Sequence, residues 1–165
     1  MNHSISLPKE IWDRIYSEAS LSEKSEPILA GYLHDTILKY NDLNSALSAH
    51  LANKLASASA PASMLNPALY ASFSDPKILN NIAHDIQATV ERDSACNLFS
   101  TPFLYFKGFL SLQAYRASHS LWAEGKTSMA LLLQHRVSVA FAVDIHPAAV
   151  IGSGVMIDHA TGLVI

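Results

Sequence analysis

The sequence predicts a mainly α chain: a helical N-terminal domain over residues 1–143, then the truncated first coil of a parallel β-helix over 144–165. Three observations carry this. Through most of the chain, apolar residues recur at spacings of three and four, the period of an amphipathic helix. From Ile145 the spacing becomes six: Ile145, Ile151, Ile157 and Leu163 head the steps IHPAAV, IGSGVM, IDHATG and LVI. Such hexapeptides build a coil with one short strand per side, three steps or about 18 residues to a turn. The chain holds little more than one such turn, and its end reads as a cut through a repeat. Finally, half of the 165 residues are apolar and only 15% are charged, a composition for a packed core.

Taken in order, Pro27 can open a helix that continues through Leu29, Leu33, Ile37 and Tyr40. Asn41 or Asp42 can cap the next, with the stripe Leu43, Leu47, Leu51 and Leu55. Residues 56–67, ASASAPASMLNP, are small and broken by proline, and read as a loop. Asp75-Pro76 is a cap followed by a proline at the first helical position, before Leu79, Ile82, Ile86 and Val90. Thr101-Pro102 repeats that signal ahead of one long helix through Leu104, Phe109, Leu112, Tyr115 and Leu121, with Gly125 as its stop. A last helix starts near Ser128. VSVAFAV at 137–143 alternates like a strand, but the reading taken is helix, with the boundary near Asp144. A single turn of coil cannot bury its own faces, so it must be held by the helices, by other copies of the chain, or by both.

Charge and cysteine narrow the function classes. The net charge is −3 with both signs mixed along the chain, so no basic stripe points to nucleic acid and no polybasic run to a membrane surface. One cysteine, Cys96, excludes an internal disulfide and fits a reducing compartment. The start MNHSISLPKEIW lacks the basic and apolar runs of a signal peptide. No apolar run approaches the ~20 residues of a membrane helix. These features predict a cytoplasmic protein. The histidines at 34, 50, 84, 119 and 135 lack metal-ligand spacing, so no metal site is expected.

Several segments together resemble a known family. They are RDSA at 92–95, TPFLYFKGFLSLQAYR at 101–116, VDIHPAA at 143–149 and IGSGVMIDHATG at 151–162. In combination they resemble serine O-acetyltransferase, a hexapeptide-repeat acyltransferase that activates serine for cysteine biosynthesis. The resemblance implies a left-handed β-helix. It also implies that His159 is the catalytic base and Asp144 the carboxylate that orients its ring. A neutral imidazole suits proton removal from a serine hydroxyl as it attacks a thioester. Asp93 and Asp158 resemble the family's serine-binding carboxylates, which engage the substrate amino group. Without that resemblance, Asp158-His159 is an ordinary surface dipeptide, Asp144 a cap and Asp93 a helix-terminal acid. His146, before Pro147, reads as a corner-hydrogen-bonding residue, and Cys96 as a buried spectator.

The resemblance implies acetyl-CoA as co-substrate, L-serine as acceptor and L-cysteine as a feedback inhibitor in the same pocket. It further implies a homo-oligomer, a hexamer built as a dimer of trimers, and O-acetylserine sulfhydrylase as a partner through a C-terminal tail absent here. The match of that tail's terminal isoleucine to Ile165 is read as coincidence. The family's CoA groove falls mostly beyond residue 165 and its carboxylate-binding Arg-His pair has no counterpart in residues 1–165, so the polypeptide as given is expected not to turn over alone. The alternatives are a non-catalytic helical oligomerisation or regulatory module, and a hexapeptide acyltransferase with another acceptor.

Overall fold

The computed structural model describes residues 6–165; the first five residues of the segment searched for a signal peptide lie outside that range. The described chain is mainly helical. Helix α1 (Leu7–Ser25) starts with proline in its first turn and buries Ile11, Trp12, Ile15 and Ala19 at helical spacing.

The stretch predicted as one helix from Pro27 is three short pieces. A 3-10 turn at Pro27–Leu29 passes into α2 (Ala30–Leu33), then into a π turn at His34–Leu38. The apolar stripe survives, with Leu33 and Ile37 buried, but the extra residue per turn resets which residues face inward. Asp42, of the two candidates, caps α3 (Leu43–Leu55): its Oδ1 accepts the Ser45 amide at 2.8 Å. The whole predicted α3 stripe is buried.

The loop expected over 56–67 is half right. Residues 62–67 open α4 (Ala62–Phe73), with Pro67 inside the helix. Leu65, Leu69 and Phe73, four apart, are fully buried, and that burial outweighs the proline. Helix α5 (Pro76–Arg92) begins as predicted, with Asp75 Oδ1 accepting the Lys77 amide at 2.8 Å.

The long helix from Thr101 is broken. Helix α6 (Ser100–Tyr105) ends at Phe106, whose backbone turns extended (φ −83°, ψ 104°), and α7 (Lys107–Ala123) starts again on the next residue. Glu18 of α1 accepts the amides of Phe99 (3.2 Å) and Ser100 (2.7 Å), so a carboxylate distant in sequence caps α6. Gly125 ends α7 at φ +78°, a left-handed position that suits glycine. Helix α8 runs Thr127–Phe141, so the alternating VSVAFAV is helical up to Phe141. Ala142 in the left-handed region releases the chain into β1 (Val143–Asp144).

From β1 the chain makes one circuit and returns as β2 (Leu163–Val164), parallel to β1, with Val143 beside Leu163 and Asp144 beside Val164. Ile165 extends the ladder, donating to the Asp144 carbonyl and accepting from the His146 amide, both at 2.9 Å. The circuit therefore takes 20 residues rather than the expected 18, and Ile165 rather than Leu163 lies beside Ile145. The first two steps, headed by Ile145 and Ile151, keep their length of six; the two extra residues fall in the third step, in the turn through Asp158–Gly162.

Candidate active site

The circuit is fastened to the helices by a buried ion pair. Asp85 of α5 is fully buried, and Arg116 of α7 is 5% exposed. Arg116 donates to both carboxylate oxygens, Nε at 2.7 Å and Nη2 at 2.9 Å. Nη2 also donates to the Gly152 carbonyl at 2.7 Å, and the Val155 amide donates to Asp85 at 3.0 Å. Two helices and two backbone groups of the circuit thus meet on one pair of charges, with Gln113 donating to Asp85 as well. Arg92 at the end of α5 adds a bond to the Gly154 carbonyl at 2.8 Å. The start of α7 makes a third junction: a Cβ on Gly108 would stand 2.0 Å from the Ile157 carbonyl oxygen, so only glycine permits the approach.

This fastening fixes where the predicted residues stand. Asp93 ends α5. Its Oδ1 accepts the Ala95 amide at 2.9 Å, and the Cys96 amide donates to its carbonyl at 3.0 Å, an Asx turn that holds the carboxylate at the helix end. Asp158 and His159 lie on the turn that follows Ile157. The His159 amide donates to Asp158 Oδ1 at 2.9 Å, the Ala160 amide to the Asp158 carbonyl, and the Thr161 amide to the His159 carbonyl at 2.9 Å. His159 (φ 26°) and Ala160 (φ 63°) both take left-handed conformations that carry a cost of about 1 kcal/mol each for residues with a Cβ.

The His159 ring is 97% exposed, and its Nε2 stands 3.8 Å from Asp158 Oδ1, beyond hydrogen-bond length. Its place is set by the backbone of the turn. Asp93, Asp158 and His159 line one cleft of about 270 Å³, between the end of α5, the break at Tyr105–Gly108 and the circuit. Lys107 lines it too, and its Nζ donates to Thr161 Oγ1. Two carboxylates across a small cleft can hold an ammonium group, and an exposed imidazole at the edge can take a proton.

Asp144 stands elsewhere in the chain. It lines a second cleft with Gln134 and His135, and Gln134 Nε2 donates to its Oδ1 at 2.6 Å. Three of the four expected residues therefore share a cleft, and the fourth does not line it.

Two further side chains singled out in the sequence make local contacts. His146 Nδ1 accepts the Ala148 amide at 3.1 Å and meets Trp122 edge-on at 5.2 Å. Cys96 is buried, its thiol pushed above the usual range by that burial. The sequence reading missed Lys107, Gly108 and the Asp85–Arg116 pair. One signal was available: Asp85 sits between Ile82 and Ile86 and one turn before Thr89, an acid on an apolar helix face.

The family model described as serine acetyltransferase, N-terminal, matches residues 11–114. The serine acetyltransferase of Haemophilus influenzae is 50% identical over 157 residues, which cover 94% of this chain and 59% of that protein. The chain thus spans less than two thirds of that relative's length. A solved serine acetyltransferase in complex with CoA superposes with a TM-score of 0.91 at 49% identity, over 94% of this chain and 66% of that one. Soybean serine acetyltransferase complexed with serine superposes with a TM-score of 0.93 at 42% identity, over 98% and 67%.

Proposed function

The chain belongs to the serine acetyltransferase family, and from that membership we propose that it carries the acceptor side of an enzyme that moves acetyl from acetyl-CoA to the hydroxyl of L-serine. The product is O-acetylserine, a precursor for cysteine biosynthesis. The observation that carries this is the single cleft lined by Asp93, Asp158 and His159. In this reading residues 144–165 open a left-handed hexapeptide β-helix behind the helical domain 1–143.

The serine ammonium sits between the carboxylates of Asp93 and Asp158. This directs the hydroxyl toward His159, whose imidazole accepts the hydroxyl proton as the oxygen attacks the thioester carbonyl. The new C–O bond forms, the C–S bond breaks, and the proton passes from His159 to the departing thiolate, leaving CoA as a thiol and the base neutral. L-Cysteine has the same ammonium and carboxylate, and competes for the same cleft.

Asp144 is proposed to orient His159 across two copies of the chain, since within one copy it lines a different cleft. It goes with the closed homo-oligomer that family membership implies, a dimer of trimers, in which each site would draw on two subunits. No described helix is long and apolar enough to cross a membrane, and a cytoplasmic enzyme is the reading adopted.

The test is an assay of the intact gene product with L-serine and acetyl-CoA, following loss of the thioester and appearance of O-acetylserine. Turnover on serine is expected; none on serine, with transfer to another acceptor, sinks the reading. The 165-residue polypeptide assayed beside it is expected to turn over poorly, because the relatives extend well beyond it.

A further inference from the structure

We propose that Lys107 is a positioning residue for His159 and acts through Thr161. The proposal rests on the reading of His159 as the base for acetyl transfer.

Three observations converge. First, the His159 ring is almost fully exposed and beyond hydrogen-bond length of its neighbour Asp158, so its position depends on its own backbone. Second, that backbone is strained, with His159 and Ala160 in succession in the left-handed region. Two such residues persist only where the surroundings hold them. Third, the side-chain tie from the helical domain to this turn is Lys107 Nζ donating to Thr161 Oγ1, two residues beyond His159. Lys107 is the first residue of α7, immediately after the break at Phe106. Its neighbour Gly108 lies against the Ile157 carbonyl, one residue before Asp158. Lys107 and Gly108 thus grip the turn on both sides of the Asp158-His159 pair. The helix break serves this grip, because it places the start of α7 against the turn.

Lys107 also supplies a cation to a cleft that holds Asp93 and Asp158. A purely electrostatic role, on the substrate or on the carboxylates, needs its charge but not Thr161. A positioning role needs both partners. That difference sets the experiment.

In the intact gene product, Lys107→Met, Thr161→Val and the double variant are assayed for serine acetylation. A base displaced by about 1 Å can lose some 100-fold in rate. Each single variant is expected to lower kcat/KM by 10- to 100-fold, mainly in kcat. The double is expected to be no worse than the poorer single. Thr161→Ser, which keeps the hydroxyl, is expected to stay within about threefold of the unmodified enzyme. Thr161→Val keeps the lysine charge, so a loss there separates positioning from electrostatics and is expected without a shift in the pH–rate midpoint.

In the 165-residue chain, amide exchange at Thr161 and Leu163 is expected to quicken at least tenfold in both single variants. The proposal is overturned if Thr161→Val retains full activity while Lys107→Met loses it, if neither loses it, if the losses multiply in the double, or if exchange at the turn is unchanged. If the intact gene product does not acetylate serine at all, the functional reading fails. The exchange measurement then still decides whether Lys107 holds the turn.

Discussion

Removing one partner of the Asp85–Arg116 pair should loosen the hold of the helices on the circuit. Asp85 is fully buried and Arg116 nearly so, and together they make three contacts with each other or Gln113 and two with the backbone of the circuit. Asp85→Ala leaves a guanidinium buried without its counter-ion, a situation that costs about 3–5 kcal/mol. For a chain of this size, about 2–4 °C of melting temperature per kcal/mol puts the expected fall near 10 °C. Arg116→Met should cost a similar amount, because it strands the carboxylate instead.

The double variant Asp85→Leu/Arg116→Met buries no unpaired charge. It loses chiefly the bonds to the Val155 amide and the Gly152 carbonyl, about 1–3 kcal/mol. It should therefore be at least as stable as either single variant, and its loss should fall short of the sum of the singles by about 2 kcal/mol or more. Thermal melts by far-UV circular dichroism give the global values. Amide exchange at Val155 gives the local one, with protection there falling in all three variants. Additive losses, or an Asp85→Ala melt within 2 °C of the unmodified chain, would refute the reasoning, since neither is compatible with a buried, coupled pair.

Gly108→Ala should cost about 2–3 kcal/mol by denaturant unfolding, because its Cβ meets the Ile157 carbonyl oxygen and no side chain can rotate away; a neutral result means that α7 does not abut the circuit. His50, buried and stacked on Phe103, has its pKa pushed down to about 4 from 6.5, first by burial and then by Lys54. The unfolded chain takes up a proton below pH 6.5 that the folded chain resists until about pH 4. Stability should thus be full above pH 6.5 and fall by about 3 kcal/mol as the pH drops through that window. His50→Gln should flatten that slope in denaturant titrations at pH 7 and pH 4.5; an equal slope removes His50 as its source. Glu18→Ala should cost about 1 kcal/mol, since Glu18 receives the amides of Phe99 and Ser100 at the start of α6. Asp93→Asn, which removes one of the two carboxylate charges proposed to hold the serine ammonium, should raise KM for serine at least tenfold in the intact gene product with a smaller effect on kcat. The opposite split places Asp93 in the chemical step instead.

The helices with strong local signals were legible in the sequence. Asp42 and Asp75 cap helices as their residue types foretell, and the α3 stripe is buried throughout. Signals set by distant partners were not legible. Pro67 marked a break, yet α4 forms because Leu65, Leu69 and Phe73 pack inward, a tertiary gain that no local propensity reports. Thr101-Pro102 announced one helix, while the break at Phe106 answers to the circuit on the far side of Gly108. The hexapeptide spacing foretold a circuit but misjudged its length, because the turn that carries His159 holds two residues more than the repeat. Asp93, Asp158 and His159 could be singled out by resemblance alone. What holds them together (Lys107, Gly108, Asp85 and Arg116) acts through contacts between residues from about 30 to 70 positions apart, and spacing along the chain does not encode those.

The central claim is that His159, held at the edge of the cleft it shares with Asp93 and Asp158, takes the proton from the serine hydroxyl. The most direct measurement is the steady-state rate of serine acetylation by the intact gene product carrying His159→Asn. The ring is exposed, so the variant should fold and melt like the parent. Loss of a general base predicts a fall in kcat of about 100- to 10,000-fold with KM for serine little changed. A kcat within threefold of the parent would contradict the account.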